Sequence, residues 1–273
     1  MARRVARSFP LAVWNRTRSR ASALSDIAAR VASNPRDAAR GASVVVTCVA
    51  DAKALEQVLG GDDGLLAGLD PGAVVVDMST IGRAAAREAA RAVEAAGGHF
   101  VDAPVSGSVE PAQRGELVAL VGGADSHVER VTPVLLTMCS RIVRAGFVGQ
   151  GQALKVVLNG VGAHQLVAFT SMLALGERAG LSREVLVGAF TSGAFATPSY
   201  ISKRERVLAG QYDDPDFTLA LALKDGALNL ALQQEVGLAL PVQREIAREL
   251  AQAIGEGLGE LDLFAMERYF SRR

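Results

Sequence analysis

The chain has 273 residues, 49% hydrophobic and 21% charged, which is enough apolar mass for a sizeable core and excludes wholesale disorder. Lys plus Arg and Asp plus Glu each number 29, so no basic excess is available to displace counterions from a nucleic acid. No uninterrupted apolar run reaches the ~18 residues that span a bilayer, and the basic residues 1–7 precede no apolar segment of signal-peptide length, which predicts a soluble, cytoplasmic protein without membrane partners.

In chain order, residues 11–15 (LAVWN) read as a short strand, and Thr17 as the cap of a helix running towards Val31. Residues 43–49 and 73–79 are β-branched runs of the kind buried on both faces of a sheet. Helices are predicted over 52–59 and 83–96, the second ending at Gly97 and Gly98. Strands follow at 99–103, 117–121 and 142–144, with a helix over 125–138 between the last two. Strands alternating with helices imply an α/β, doubly wound, mostly parallel sheet with right-handed crossovers. The pattern changes at Gly149. Residues 150–178 are continuously helix-compatible, roughly 45 Å of helix at ~1.5 Å per residue. Further helices are predicted at 182–191, 199–208, 218–235 and 241–255, and nothing after Val148 reads as a strand. The expected organisation is an α/β domain over 1–148 joined by a long helix to an all-helical domain over 149–273.

Only four of the basic residues are lysines: Lys53, Lys155, Lys203 and Lys224. A chain that supplies surface charge with Arg can keep Lys where an ammonium of adjustable pKa is needed. Lys155 and Asn159 stand at i and i+4 near the start of the long helix and share one face. Partial desolvation there would bring Lys155 towards the range of a general acid, with Asn159 holding a substrate hydroxyl or carbonyl beside it. A Lys snorkelling at a helix surface is the ordinary alternative.

Residues 102–108 (DAPVSGS) end a strand in a turn of small residues, where ligands of open α/β sheets bind. Backbone N–H groups there, with the Ser106 hydroxyl, could cradle a carboxylate; a plain strand-to-helix turn is the alternative. Thr80, after the preceding strand, would point into the same crevice. Residues 14–17 (WNRT) close the first readable strand. In a dinucleotide-binding fold an Arg at that position, here Arg16 with Arg18 or Arg20, accommodates a 2′-phosphate and argues for NADP over NAD. Phe217 and Lys224 fall on one stripe of an otherwise apolar helix, where Lys224 could equally pair with an acid. Cys48 and Cys139 sit in apolar stretches that predict buried thiols. His99, His127 and His164 form no metal-spaced cluster.

Together these motifs resemble the β-hydroxyacid dehydrogenase family, which includes 3-hydroxyisobutyrate dehydrogenase, tartronate semialdehyde reductase and the glyoxylate/succinic semialdehyde reductases. The motifs are N-R-T at 15–17, S-T at 79–80, D-A-P-V-S-G at 102–107, G-x-G-x-x-x-K-x-x-x-N at 149–159 and F-x-x-x-x-x-x-K-D at 217–225. The resemblance implies a Rossmann-type first domain and an NADP-preferring oxidoreductase, NAD remaining possible, that passes a hydride between nicotinamide and a small carboxylate-bearing hydroxy acid, semialdehyde or oxo acid. It implies that Lys155 is the general acid/base and Asn159 a catalytic and substrate-orienting residue. Ser106, Gly107, Ser108 and Phe217 would contact substrate. Asn15, Arg16, Thr17, Val49, Ala50, Thr80, Lys224 and Asp225 would contact cofactor, and no metal is implied.

The sequence departs from the family at its start. The first strand and the G-x-G-x-x-G turn are missing, and residues 1–7 read as the second half of the helix that would follow them. Either Met1 is an internal methionine of a longer chain, or the chain lacks the loop and binds dinucleotide poorly. A scaffold or ligand sensor that has lost dinucleotide binding is therefore a competing reading, and an imine reductase-like enzyme a third. Helices such as 219–232, rich in Ala and Leu, offer more apolar surface than a domain of this size buries alone, which predicts a homodimer or homotetramer formed through the helical domain.

Overall fold

Three consecutive valines, Val74, Val75 and Val76, form a strand whose side chains alternate between two faces, and all three are wholly buried. Val74 and Val76 pack with Val128, Val131, Leu135 and Met138 on one side. Val75 packs with Leu55, Leu59, Ala86, Ala90 and Val93 on the other. Helices on both faces are what permit so apolar a strand, and this is the doubly wound arrangement expected.

The structure, a computed structural model, describes residues 1–27 and 30–273 and divides into two units, Met1–Val156 and Val157–Arg273. In the first, the chain runs α1 (Ala2–Val5), β1 (Ala12–Val13), α2 (Arg18–Ser22), β2 (Arg30–Val31), α3 (Pro35–Ala39), β3 (Val44–Thr47), α4 (Ala52–Leu59) and β4 (Val74–Asp77). It continues through α5 (Arg83–Ala95), β5 (His99–Asp102), β6 (Val105–Ser106), α6 (Val109–Arg114), β7 (Leu117–Gly122), α7 (Asp125–Met138) and β8 (Cys139–Gly146) into α8 (Gln150–Arg178). Strands β3, β4 and β5 are parallel neighbours. β7 lies antiparallel to β5 and to the short β6, and β8 runs parallel to β7. β1 and β2 pair only with each other, in a separate parallel sheet, so among the described residues β3 has a partner strand on one edge alone.

The helix predicted from Thr17 towards Val31 does not form as such. α2 stops at Ser22, and Arg30 and Val31 are extended beside Ala12 and Val13; Ala28 and Ala29, within that prediction, lie outside the described residues. Arg30 N–H donates to the Leu11 carbonyl (2.9 Å) and Ala32 N–H to that of Val13 (2.8 Å), so strand pairing overrides local helix propensity. Thr17 holds the N-cap position without a capping bond from its side chain. Instead its N–H donates to Asn15 Oδ1 (2.9 Å). Cys139 is buried as expected, and burial pushes its thiol up to about 11. Cys48 is exposed, contrary to expectation, because it lies just past the end of β3 where the chain leaves the sheet.

The second unit contains the rest of α8 with α9 (Arg183–Phe190), α10 (Pro198–Ala209), α11 (Leu219–Glu235), α12 (Pro241–Ala253) and α13 (Met266–Ser271). They pack around Leu166, Phe169, Leu173, Leu219, Leu250 and Met266. The only extended pairing described there is an isolated antiparallel bridge between Thr218 and Asp262. By length and composition alone α8 could cross a membrane, with mean hydropathy 1.3 over an 18-residue window. Lys155, Asn159 and His164 interrupt its apolar run. Its Leu166, Phe169 and Leu173 are buried in the helical core.

Candidate active site

Asp102 is the last residue of β5, and it is wholly buried. Gly149 N–H donates to its Oδ1 (2.7 Å) and Gln152 N–H to its Oδ2 (2.8 Å). The carboxylate therefore satisfies two of the N–H groups left open at the start of α8 and meets the positive end of the helix dipole. Burial nevertheless dominates and pushes the Asp102 carboxyl up to about 6, with the two N–H bonds opposing it.

Two glycines permit this approach. A Cβ on Gly151 would lie 2.2 Å from the Leu120 carbonyl oxygen and 2.7 Å from Asp102 Oδ2. One on Gly122 would lie 2.6 Å from both Asp102 Oδ1 and the Phe147 carbonyl oxygen. Because backbone cannot yield as a flexible side chain does, Gly151→Ala should destabilise the protein by about 3 kcal/mol, the upper part of the usual overpacking range. A lowered urea midpoint with unchanged m-value is the expected reading.

Gln152 is wholly buried as well. Its Nε2 donates to the Ser79 carbonyl (2.8 Å), and its Oε1 accepts from the Ile81 and Gly82 N–H groups (3.0 and 3.1 Å). Ser79 Oγ in turn donates to Asp77 Oδ1 (2.7 Å) and accepts from Val49 N–H (2.8 Å). Thr47 Oγ1 donates to the same Asp77 oxygen (2.8 Å). Burial pushes the Asp77 carboxyl up against these bonds. A connected polar network thus runs from the ends of β3 and β4, through the Ser79–Gly82 segment, to the first turn of α8.

In the first unit this network brings together Val49, the half-buried Thr80 and the segment carrying Lys155, itself half-buried. Ser106 differs from its expected setting. It ends the short strand β6 opposite Val118 of β7, so the 102–108 segment is not a simple turn. Gly107 follows at φ +120°, where a Cβ would lie 2.8 Å from Leu117 Cδ2 and 3.2 Å from Pro111 Cβ. Ser108 is the exposed N-cap residue of α6 and its side chain makes no capping bond. Asn15, Arg16 and Thr17 form an exposed turn on the separate two-stranded sheet, and Ala50 is exposed after β3.

In the second unit Asn159 Nδ2 donates to Asp225 Oδ2 (2.5 Å), and Lys224 Nζ lies 3.1 Å from Asp225 Oδ1. Asp225 is thereby drawn into a buried polar cluster with Asn159. Phe217 is half-buried and packs against the helical core. The scarcity of lysine loses force, since Lys53 is exposed and Lys203 is held by Asp216 and Asp262 (2.6 and 2.7 Å) in an ion-pair network. His99 and His127 stack on each other with ring centroids 3.9 Å apart, and His164 Nδ1 lies 2.7 Å from the Gly160 carbonyl oxygen. Among the described residues no His, Cys, Asp or Glu group could hold a metal ion.

Two family models match consecutive stretches of the chain. One is the NAD binding domain of 6-phosphogluconate dehydrogenase, over residues 1–146, and the other the NAD-binding model of NADP-dependent 3-hydroxyisobutyrate dehydrogenase, over 149–270. Glyoxylate/succinic semialdehyde reductase 1 of Arabidopsis thaliana is 30% identical over 94% of this chain and 89% of its own length. The chain belongs to the β-hydroxyacid dehydrogenase family. Two solved structures match this β-hydroxyacid dehydrogenase along nearly its whole length. 3-Hydroxyisobutyrate dehydrogenase from Salmonella typhimurium is 26% identical at a TM-score of 0.89, covering 98% of this chain and 94% of its own. Psf3, solved with NADP+ and 2-OPP, is 26% identical at a TM-score of 0.88, covering 99% and 95%. The protein is an NAD(P)-dependent oxidoreductase of the β-hydroxyacid dehydrogenase type.

The network residues Thr47, Asp77 and Gln152 did not stand out in the sequence. All three lie inside the strand and helix segments named above, but the bonds that join those segments, from Thr47 to Asp77 and from Gln152 to the 79–82 segment, span thirty or more residues of chain. A Gln between two otherwise apolar or glycine positions was the one available signal.

Proposed function

We propose that this β-hydroxyacid dehydrogenase prefers NADP and reduces, or forms by oxidation, a small carboxylate-bearing aldehyde or oxo acid, with Lys155 moving the proton. The observation that carries the reading is the setting of Lys155. It lies three residues after Gln152, on a helix start bonded to the carboxyl ends of parallel strands, where ligands of open α/β sheets bind.

The residues fit a phosphorylated dinucleotide at its adenosine end. Asn15 closes a turn on the Thr17 N–H, and Arg16, Arg18 and Arg20 are exposed without an ion-pair partner among the described residues. Such guanidinium groups suit a 2′-phosphate. Asn15, Arg16 and Thr17 would hold the ribose and its phosphate, Val49 and Ala50 the dinucleotide at the end of β3, and Thr80 the nicotinamide end. Lys224 and Asp225 in the second unit keep the cofactor contacts that the resemblance assigns, and Asn159 and Phe217 the substrate contacts. The bound nicotinamide supplies or accepts the hydride. The chain orients the substrate carboxylate through Ser106, Ser108 and the Gly107 backbone, and Lys155 Nζ exchanges a proton with the substrate oxygen.

Titrating NADPH and NADH against the protein by fluorescence tests the cofactor assignment. NADPH should bind at least tenfold tighter, and Arg16→Ala should remove most of the difference, since a charged hydrogen bond contributes about 1.5–3 kcal/mol. Equal affinity for the two coenzymes rejects the preference. Consumption of NADPH on adding glyoxylate or succinic semialdehyde, the substrates in the name of the Arabidopsis relative, is the direct assay.

A homodimer or homotetramer through the helical unit is supported by Val157, Val161, Met172 and Leu175, which leave an exposed apolar row along α8. A reducing, cytoplasmic setting is supported by Cys48 and Cys139, neither of which is in a disulfide.

A further inference from the structure

We infer that Gln152 and Asp102 are positioning residues for Lys155: they clamp the first turn of α8 to the ends of β4 and β5 and so fix where the ammonium sits. The inference rests on the proton-transfer role proposed above for Lys155.

The geometry is specific. A buried amide is tolerated when its polar atoms are bonded, and Gln152 bonds both of its own, to three backbone groups. All three belong to the Ser79–Gly82 segment, whose Thr80 is assigned to the nicotinamide. An apolar side chain would fill the same volume without holding that segment. The backbone N–H of the same residue is held by Asp102 Oδ2, so Gln152 is tied at once to two strand ends. Gly151 and Gly122 bring those ends close enough for the bonds to form. Lys155 follows Gln152 at i+3, within the same regular helix, so its Cα moves with that first turn. A shift of about 1 Å in a reacting group can lower rate about a hundredfold.

The test compares Gln152→Leu, which removes all three bonds, with Gln152→Glu, which keeps acceptors for the Ile81 and Gly82 N–H groups and loses the donor to Ser79. With NADPH and glyoxylate or succinic semialdehyde, Gln152→Leu should lower kcat about a hundredfold while the coenzyme Kd and the substrate KM stay within about threefold. Gln152→Glu should lie between the two, and it serves as the test if Gln152→Leu does not fold. A folded variant whose kcat remains within threefold of the unaltered enzyme overturns the inference. So does a parallel loss of kcat, KM and coenzyme affinity, which marks general structural support only.

An unaltered enzyme that turns over no aldehyde or hydroxy acid with either coenzyme rejects the proposed function instead. The clamp is then judged on a readout that needs no turnover. Exchange of the Ile81 and Gly82 amide hydrogens should quicken about tenfold or more in Gln152→Leu. Unchanged exchange overturns the clamp.

Discussion

Lys155→Ala should lower kcat by roughly 10²–10⁴-fold, the contribution of a positioned general acid, while leaving the Kd for NADPH nearly unchanged. Stability should change little, because the core contact at this point of α8 is made by Val156, which is 1% exposed, and not by the half-buried Lys155. Lys155→Arg sharpens the experiment. Arg retains the positive charge but holds its proton at any working pH. If Lys155 only attracts a carboxylate, the Arg variant keeps most of its turnover; if Lys155 passes a proton, it is nearly as slow as the Ala variant. Turnover close to the unaltered rate in both variants rejects the assignment.

The second large effect concerns stability against pH. The Asp102 carboxyl is raised from the ordinary 3.8 to about 6 in the folded chain, with burial as the main cause. A group whose folded pKa lies above its unfolded value binds more protons in the native state within that window. Its contribution is therefore fully present below about pH 4 and is lost as pH rises through about 6. At ~1.36 kcal/mol per pKa unit the window is worth about 3 kcal/mol. Relative to Asp102→Asn, which does not titrate, the unaltered protein should gain about 2 kcal/mol of that between pH 6 and pH 4 in urea unfolding. Asp77, also raised by burial, acts with the same sign and is present in both proteins, so that only its weak coupling to Asp102, the smallest of the causes acting on Asp102, does not cancel. A difference between the two proteins that stays flat across this window would show that the Asp102 pKa is not raised.

Legibility in the sequence followed the length and periodicity of each element. The β-branched runs at 43–49 and 73–79 and the helices at 52–59, 83–96, 125–138 and 150–178 carry enough repeats to declare their type, and each forms within a few residues of its expected bounds. The two-residue strands β2 and β6 are too short for any period, whereas β1 falls inside the strand expected at 11–15. β2 was further masked by the Ala-rich surroundings of residues 18–31, whose local preference gives way to pairing with β1. Strand-end positions such as Thr80 and Ser106 could be proposed in advance because the fold class says where ligands bind, although Ser106 ends the short strand β6 and not a simple turn. Asp102 was visible within the same motif, but its service to the helix start was not, since its partners Gly149 and Gln152 come from a segment some fifty residues on. Gln152 and Asp77 were silent for the same reason: a hydrogen bond between distant residues leaves no spacing to detect.

The edge of β3 has a consequence for strand pairing. Val44, Val45 and Val46 are only half-buried, and one side of that strand lacks a neighbouring strand among the described residues. Such a border, β-branched and without a charged side chain in the strand itself, is a template for a strand of another molecule. One more β-strand, from this chain or from another molecule, would find its backbone partners along this border.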